Sequence, residues 1–206
     1  MTKVKWIIVL FCLFSFASGL QAQKHETLFG RTTVVGGFGG PIVEWGLNNK
    51  LGTAVGGGGG VIINDFFLGF YGMGSIDFEK LLEDNQDIDQ LDLGHTGLWL
   101  GFTVPSFKLL HLYGSTRIGW GAVNVDLNDP VIRYDDLDHV FVVTPEIGAE
   151  LNLTRWFRLA GAVGYRYLDG VNKNLGYTND DFRGTYASMT MRFGGFGRFR
   201  SHRHDD

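Results

Sequence analysis

The chain has 206 residues, with 22 Asp and Glu against 18 Lys and Arg and a formal net charge of −4. That length supports a single domain, and the acidic balance speaks against nucleic acid as a partner, because phosphate binding demands the opposite sign. With one cysteine, Cys12, the chain has no disulfide framework.

Residues 1–22 read as a secretory signal peptide. Lys3 and Lys5 form its basic start, Trp6 to Ala17 its apolar run, and Ser18 to Ala22 a small-residue exit with cleavage after Ala22. The apolar run is shorter than the ~20 residues that a spanning helix needs. Cys12 leaves with the leader, which removes thiol chemistry from the mature chain. Lys3 and Lys5 leave as well, so 16 basic residues then face 22 acidic ones and the net charge is −6. No later stretch is a helical transmembrane candidate, so any membrane span must be a closed barrel.

From Thr32 onward the sequence is a series of strands separated by turn residues. The first runs from Thr33 to Leu47 and is closed by Asn48, Asn49 and Lys50; the second runs from Leu51 to Ile63. The glycine runs at 36–40 and 56–60 lack the following helix and orienting Lys or Ser/Thr of a phosphate-binding loop. They read instead as relief of crowding between strands. Asn64 and Asp65 make a tight turn that sets Ile63 opposite Phe66, both on the apolar face. In the third strand, Phe66 to Phe78, the residues Phe66, Leu68, Phe70, Ile76 and Phe78 share one face and Tyr71, Ser75 and Asp77 the other.

An acidic interruption, Glu79 to Gln90, precedes the fourth strand, Leu91 to Val104. There Thr96, Leu98, Leu100 and Phe102 alternate with His95, Gly97, Trp99 and Gly101. The fifth, Leu109 to Val125, puts Leu110, Leu112, Ile118 and Trp120 outward and His111, Tyr113, Ser115 and Arg117 inward. After a second acidic loop, Asp126 to Asp138, a long hairpin from Val140 to Asp169 supplies the sixth and seventh strands. Its outward residues, from Phe141 through Ile147 to Leu153 and from Phe157 to Tyr167, are mostly apolar; Glu146, Glu150, Arg158 and Arg166 face the other way. A third loop, Gly170 to Asp181, leads to the eighth strand, Phe182 to Phe193.

A continuous apolar face ending in aromatics, backed by a face with ionisable groups, suits a wall that turns its apolar side to lipid and its polar side to a lumen. Eight strands complete the pattern, with connections that alternate short and long except for Asn48 to Lys50, which is short where a long one is expected. The fold class is therefore all-β: an eight-stranded antiparallel up-and-down transmembrane barrel with short periplasmic turns and longer external loops. A soluble lipocalin-like barrel is the alternative, but it would leave the outward Leu, Ile and Phe face exposed to water.

The inward ionic residues Glu146, Glu150, Arg158 and Arg166, with Arg117 and Arg192, are expected to form a structural polar network in the lumen. Taking Leu153, Thr154 and Arg155 as the turn places Glu150 directly opposite Arg158. Chemistry is not expected. His95, His111 and His139 are candidate bases, and Ser115, Ser75 and Ser188 lie on inward positions, but no nucleophile, base and orienting group are brought together by the sequence. The run from Asp84 has Asp89 where a calcium loop needs Gly and His95 where it needs Glu. No metal or cofactor is expected; Asp84, Asp87, Asp89, Asp126, Asp129, Asp135, Asp136 and Asp138 would at most attract cations diffusely at the external rim.

The eighth strand ends Tyr186-Ala-Ser-Met189-Thr-Met191-Arg-Phe193, alternating toward a terminal aromatic. With the leader and the strand pattern, the mature chain resembles the small eight-stranded outer-membrane β-barrel proteins of the OmpA/OmpX-like class, from about Gly30 to Phe193. The resemblance implies an outer-membrane location in a Gram-negative envelope and a barrel domain over 23–193. It makes Tyr186, Met189, Met191 and Phe193 an assembly signal for the barrel-insertion machinery. Residues 194–206, with Arg198, Arg200, His202, Arg203 and His204, read as a short basic periplasmic tail. The expected partners are outer-membrane lipids and lipopolysaccharide, the insertion machinery and a ligand of the external loops; the protein is expected to be a monomer and a scaffold. A lipid-modifying enzyme or a barrel that binds a small apolar ligand is the alternative.

Overall fold

The computed structural model describes residues 34–47, 51–75, 88–104, 108–127, 138–171 and 177–196. Eight strands follow one another: β1 (Val34–Gly46), β2 (Thr53–Ile63), β3 (Phe66–Ser75), β4 (Ile88–Val104), β5 (Leu110–Leu127), β6 (Asp138–Asn152), β7 (Phe157–Asp169) and β8 (Gly184–Phe196). Each pairs antiparallel with its sequence neighbours, and β1 pairs with β8 to close the barrel. The leader expected at 1–22 and the tail beyond residue 196 lie outside the described residues.

The period of two in the sequence becomes the two faces of this wall. In β3, Phe66, Leu68 and Phe70 are exposed while Phe67, Tyr71, Met73 and Ser75 are buried. With the same alternation along β4 to β8, this gives an exposed apolar band whose most open members include Phe70 on β3 (70%) and Trp120 on β5 (66%). Aromatics bound the band at both ends. Near the short turns, Phe157 stacks on Phe193 with ring centroids 4.8 Å apart, and Trp156 stacks beside them. At the other end of β7 stand Tyr165 and Tyr167, both exposed. About ten residues of strand, rising about 3.3 Å each and tilted about 40°, separate these girdles by about 25 Å, the height of a lipid-facing belt.

The hairpin register of β2 and β3 is Ile63 opposite Phe66, as expected, with Asn64 at φ 56° in the left-handed region that asparagine tolerates. Several boundaries differ from the sequence reading: β2 begins at Thr53, β5 runs on to Leu127, β6 begins at Asp138 and β8 at Gly184. In β4 the strand begins at Ile88, inside the acidic interruption. In β8 it continues past Phe193 to Phe196, because Gly194, Gly195 and Phe196 pair with Phe38, Gly37 and Gly36 along the closing seam; the first three residues assigned to the tail are therefore wall. The expected third strand ran on to Phe78, and residues 76–78 lie outside the described residues.

The register of β6 and β7 also needs correcting. Arg158 pairs with Asn152, and Glu150 with Ala160. The connection is two residues longer than the three-residue turn expected. Thr154 N donates to the Phe157 carbonyl at 3.0 Å, and Gly194 N to the Trp156 carbonyl at 2.9 Å, so Trp156 stays in the turn, Phe157 opens β7 opposite Phe193, and both join the aromatic girdle. An odd count is kept, which preserves which residues face inward.

Inside, side chains fill the space, as a narrow eight-strand barrel allows. Phe38, Phe67, Trp99 and Tyr113 pack together in the half nearer the short turns, with Phe38, Phe67 and Trp99 meeting edge to face at centroid distances of 5.2–5.3 Å. Glycine makes the room: a Cβ on Gly101 would come within 2.3 Å of the edge of the Phe67 ring. Replacing Gly101 with valine is expected to displace that ring and cost about 1–3 kcal/mol, read as a lower urea midpoint. The mutation Gly161→Ala, where a Cβ meets nothing within 4 Å, should leave the midpoint in place. At the opposite end Leu93, Val123, Val140, Val142, Leu168, Val171, Tyr177 and Phe182 form an apolar plug packed between β4–β7 and the residues that precede β8.

Candidate functional site in the barrel lumen

Between the aromatic cluster and the plug lies a charged layer. Glu44 on β1 accepts from two arginines: Arg117 on β5, through Nη2, and Arg166 on β7, whose Nη2 lies 2.7 Å away. Arg117 also reaches Glu146 at 3.3 Å, the Tyr186 hydroxyl at 3.1 Å and, through Nε, Thr144 at 3.1 Å. Glu146 accepts from Ser115 at 2.6 Å and Ser188 at 2.9 Å, with the Tyr113 and Tyr186 hydroxyls at 3.1 and 3.3 Å. Arg166 turns its other nitrogen to Ser75 at 3.4 Å. Two carboxylates and two guanidiniums, all buried, balance in charge.

A second layer sits nearer the short turns. Glu150 accepts from Arg192, from Arg158 at 2.9 Å and from His111 Nε2 at 3.0 Å, while His111 Nδ1 faces the Lys108 carbonyl at 3.1 Å. Here two arginines share one carboxylate. Aromatic faces take up the remaining positive charge: the Arg192 guanidinium lies 3.7 Å from the Phe38 ring centre and 4.5 Å from that of Phe67, and Arg158 lies 4.0 Å from Phe196. The Glu150–Arg158 pair forms across a diagonal instead of directly across the ladder.

All six ionic residues singled out from the sequence, Glu146, Glu150, Arg158, Arg166, Arg117 and Arg192, therefore lie in the lumen, divided between the two layers. The hub of the larger layer, Glu44, was missed. Its inward position alternates with Val43 and Trp45, but the surrounding glycines and Pro41 blur the pattern of β1. Tyr186 turns inward to this network, whereas Met189, Met191 and Phe193 face outward.

The candidate Ser–His pairs do not form among the described residues. Ser115 and Ser188 donate to Glu146, Ser75 meets Arg166, His95 meets the Tyr71 hydroxyl at 3.0 Å, and His139 is exposed outside the wall. Asp138, placed on the external rim from the sequence, is buried and accepts from the Tyr177 hydroxyl at 2.9 Å. Of the other acidic rim residues, Asp84, Asp87, Asp129, Asp135 and Asp136 lie outside the described residues. Among the described residues no three His, Cys, Asp or Glu side chains gather where they could share a metal ion.

A closed eight-strand wall with apolar residues outside and paired charges inside defines a membrane-spanning β-barrel. The chain belongs to the outer membrane protein beta-barrel domain family, whose model matches residues 9–193, and it is a protein of the outer membrane. Two solved structures are similar to it. Neisserial surface protein A is 14% identical over 80% of this chain and 96% of its own, with a TM-score of 0.46. Ail, the attachment invasion locus protein of Yersinia pestis, is 15% identical over 79% of this chain and 98% of its own, with a TM-score of 0.41. No curated protein matches the chain.

Proposed function

We propose that this barrel is a monomeric scaffold of a Gram-negative envelope that presents the acidic connections between β3 and β4, between β5 and β6 and between β7 and β8 to a partner at the cell surface, and that it catalyses no reaction. The observation that carries this reading is how the lumen's polar groups are used. Among the described residues its carboxylates are taken up by arginines, His111 and hydroxyls, and Ser75, Ser115 and Ser188 are bonded to Arg166 or Glu146 with no histidine as their partner. The partners of the wall itself are outer-membrane lipids and lipopolysaccharide, and the insertion machinery that reads β8.

Topology is tested by cysteine labelling on whole cells with an impermeant reagent. Cysteines at Asp87, Asp135 and Asp180 are expected to react, and those at Asp65 and Ser106 to stay unlabelled. Asp180 is chosen because its carboxylate is largely exposed, whereas Asn179 is tied to Asp169 and to the Val171 amide. Reversed labelling would put the acidic connections in the periplasm and end the surface-scaffold reading. Deleting the three connections one at a time should abolish partner binding while the heat-modifiable barrel persists.

A further inference from the structure

On the outward face near the plugged end, β3 and β4 carry almost no side chains. The row Val55, Gly74, Gly94, Ala122, His139 crosses the wall there, and below it the row Gly57, Gly72, Thr96, Trp120, Phe141. Between Val55 and Trp120 nothing larger than threonine stands out. The result is an open groove of about 640 Å³ lined by Gly72, Gly94, Thr96, Trp120, Ala122 and His139. Thr96 spends its hydroxyl on the Tyr71 carbonyl at 2.6 Å, so its methyl is left to the groove. Trp120 forms one wall, tilted against Phe141 with ring centroids 5.5 Å apart. Phe70 and Leu98, in the next row down, close the side toward the membrane centre.

The groove is continuous with the lipid-facing band of an outer-membrane barrel, so hydrocarbon is the medium that meets it. Elsewhere on the band, projecting Leu, Ile and Phe side chains hold lipid away from the backbone. Here glycines let a chain approach the sheet itself, the close packing that small residues permit in membranes. We propose that the groove seats an acyl chain of lipopolysaccharide, lying on the glycine floor against Trp120 with the lipid's polar part at the level of exposed His139. The choice of lipopolysaccharide rests on the topology proposed above, which puts this end of the barrel in the outer leaflet.

Filling the groove tests the inference. A Cβ on Gly94 meets nothing within 4 Å, and one on Gly72 meets only the Thr96 hydroxyl at 3.9 Å, so Gly72→Leu with Gly94→Leu adds bulk without disturbing the wall. Gly161→Leu, an outward site on β7 with equal room, is the control. Native mass spectrometry of barrels purified in mild detergent would count the lipopolysaccharide retained on each. The filled variant should retain roughly tenfold less than the wild type, the loss of close van der Waals packing on the glycine floor, and the control should match the wild type. Equal retention by filled and wild-type barrels, equal loss by filled variant and control, or phospholipid as the lipid displaced would each overturn the proposal. If the double variant yields no heat-modifiable barrel, Ala122→Leu fills the same groove from β5 and is read in the same way. A wrong topology shows separately, as reversed cysteine labelling.

Discussion

Replacing Glu44 with leucine is expected to cost the barrel about 3–5 kcal/mol of unfolding free energy, because it strands buried charge. Arg166 makes its one observed ion pair with Glu44, and Arg117 would keep only Glu146, at 3.3 Å. The double variant Glu44→Leu, Arg166→Leu removes one charge of each sign and leaves Arg117 with Glu146. It should recover much of the loss, since a buried pair replaced by apolar residues is often close to neutral. Urea titrations followed by cold gel mobility would read both. A Glu44→Leu midpoint equal to that of the wild type would show that the layer is not held by ion pairs.

In the second layer the same logic gives the opposite rescue behaviour. Glu150→Leu strands Arg158 and Arg192 together and is expected to cost about 3–5 kcal/mol or more. Adding Arg158→Leu should restore little, because Arg192 stays buried between Phe38 and Phe67 without its carboxylate. The single Arg158→Leu should be milder, since Glu150 keeps Arg192 and His111. A simple Glu150–Arg158 pair, as the sequence suggests, would instead give full rescue in the double variant. Thermal midpoints of the three proteins decide between a pair and a shared carboxylate.

The sequence made the inward face legible wherever apolar and polar residues alternate without interruption. That is why Glu146, Glu150, Arg158 and Arg166 could be placed in β6 and β7, and Arg117 and Arg192 in their neighbours. Parity fixes the face and only an odd turn length, so the pairing of Arg158 with Asn152 was out of reach. It depends on Thr154 and Trp156 folding the turn. Glu44 was hidden because glycine has no side chain to declare a face. Phe193 suggested the end of β8, but Phe196 lies on the other face and pairs with Gly36 at the seam. The plug was missed for a different reason. Val140, Val142 and Leu168 occupy inward positions where a polar lining was expected, and only the returning segment with Tyr177 and Phe182 gives them apolar company.

The residues that neutralise one another in the charged layer come from far apart in the chain: Glu44 and Arg166 are separated by 122 positions, and Glu44 and Arg117 by 73. A half-made sheet in hydrocarbon would therefore carry unpaired carboxylates and guanidiniums as well as open strand edges. Both penalties vanish in one event, when β1 meets β8 and Glu44 comes round to its arginines. Assembly should consequently be all-or-none, with the ionic contacts absent from the rate-limiting barrier and formed only after it. Mutations at Glu44 would then speed the loss of the finished barrel far more than they slow its making.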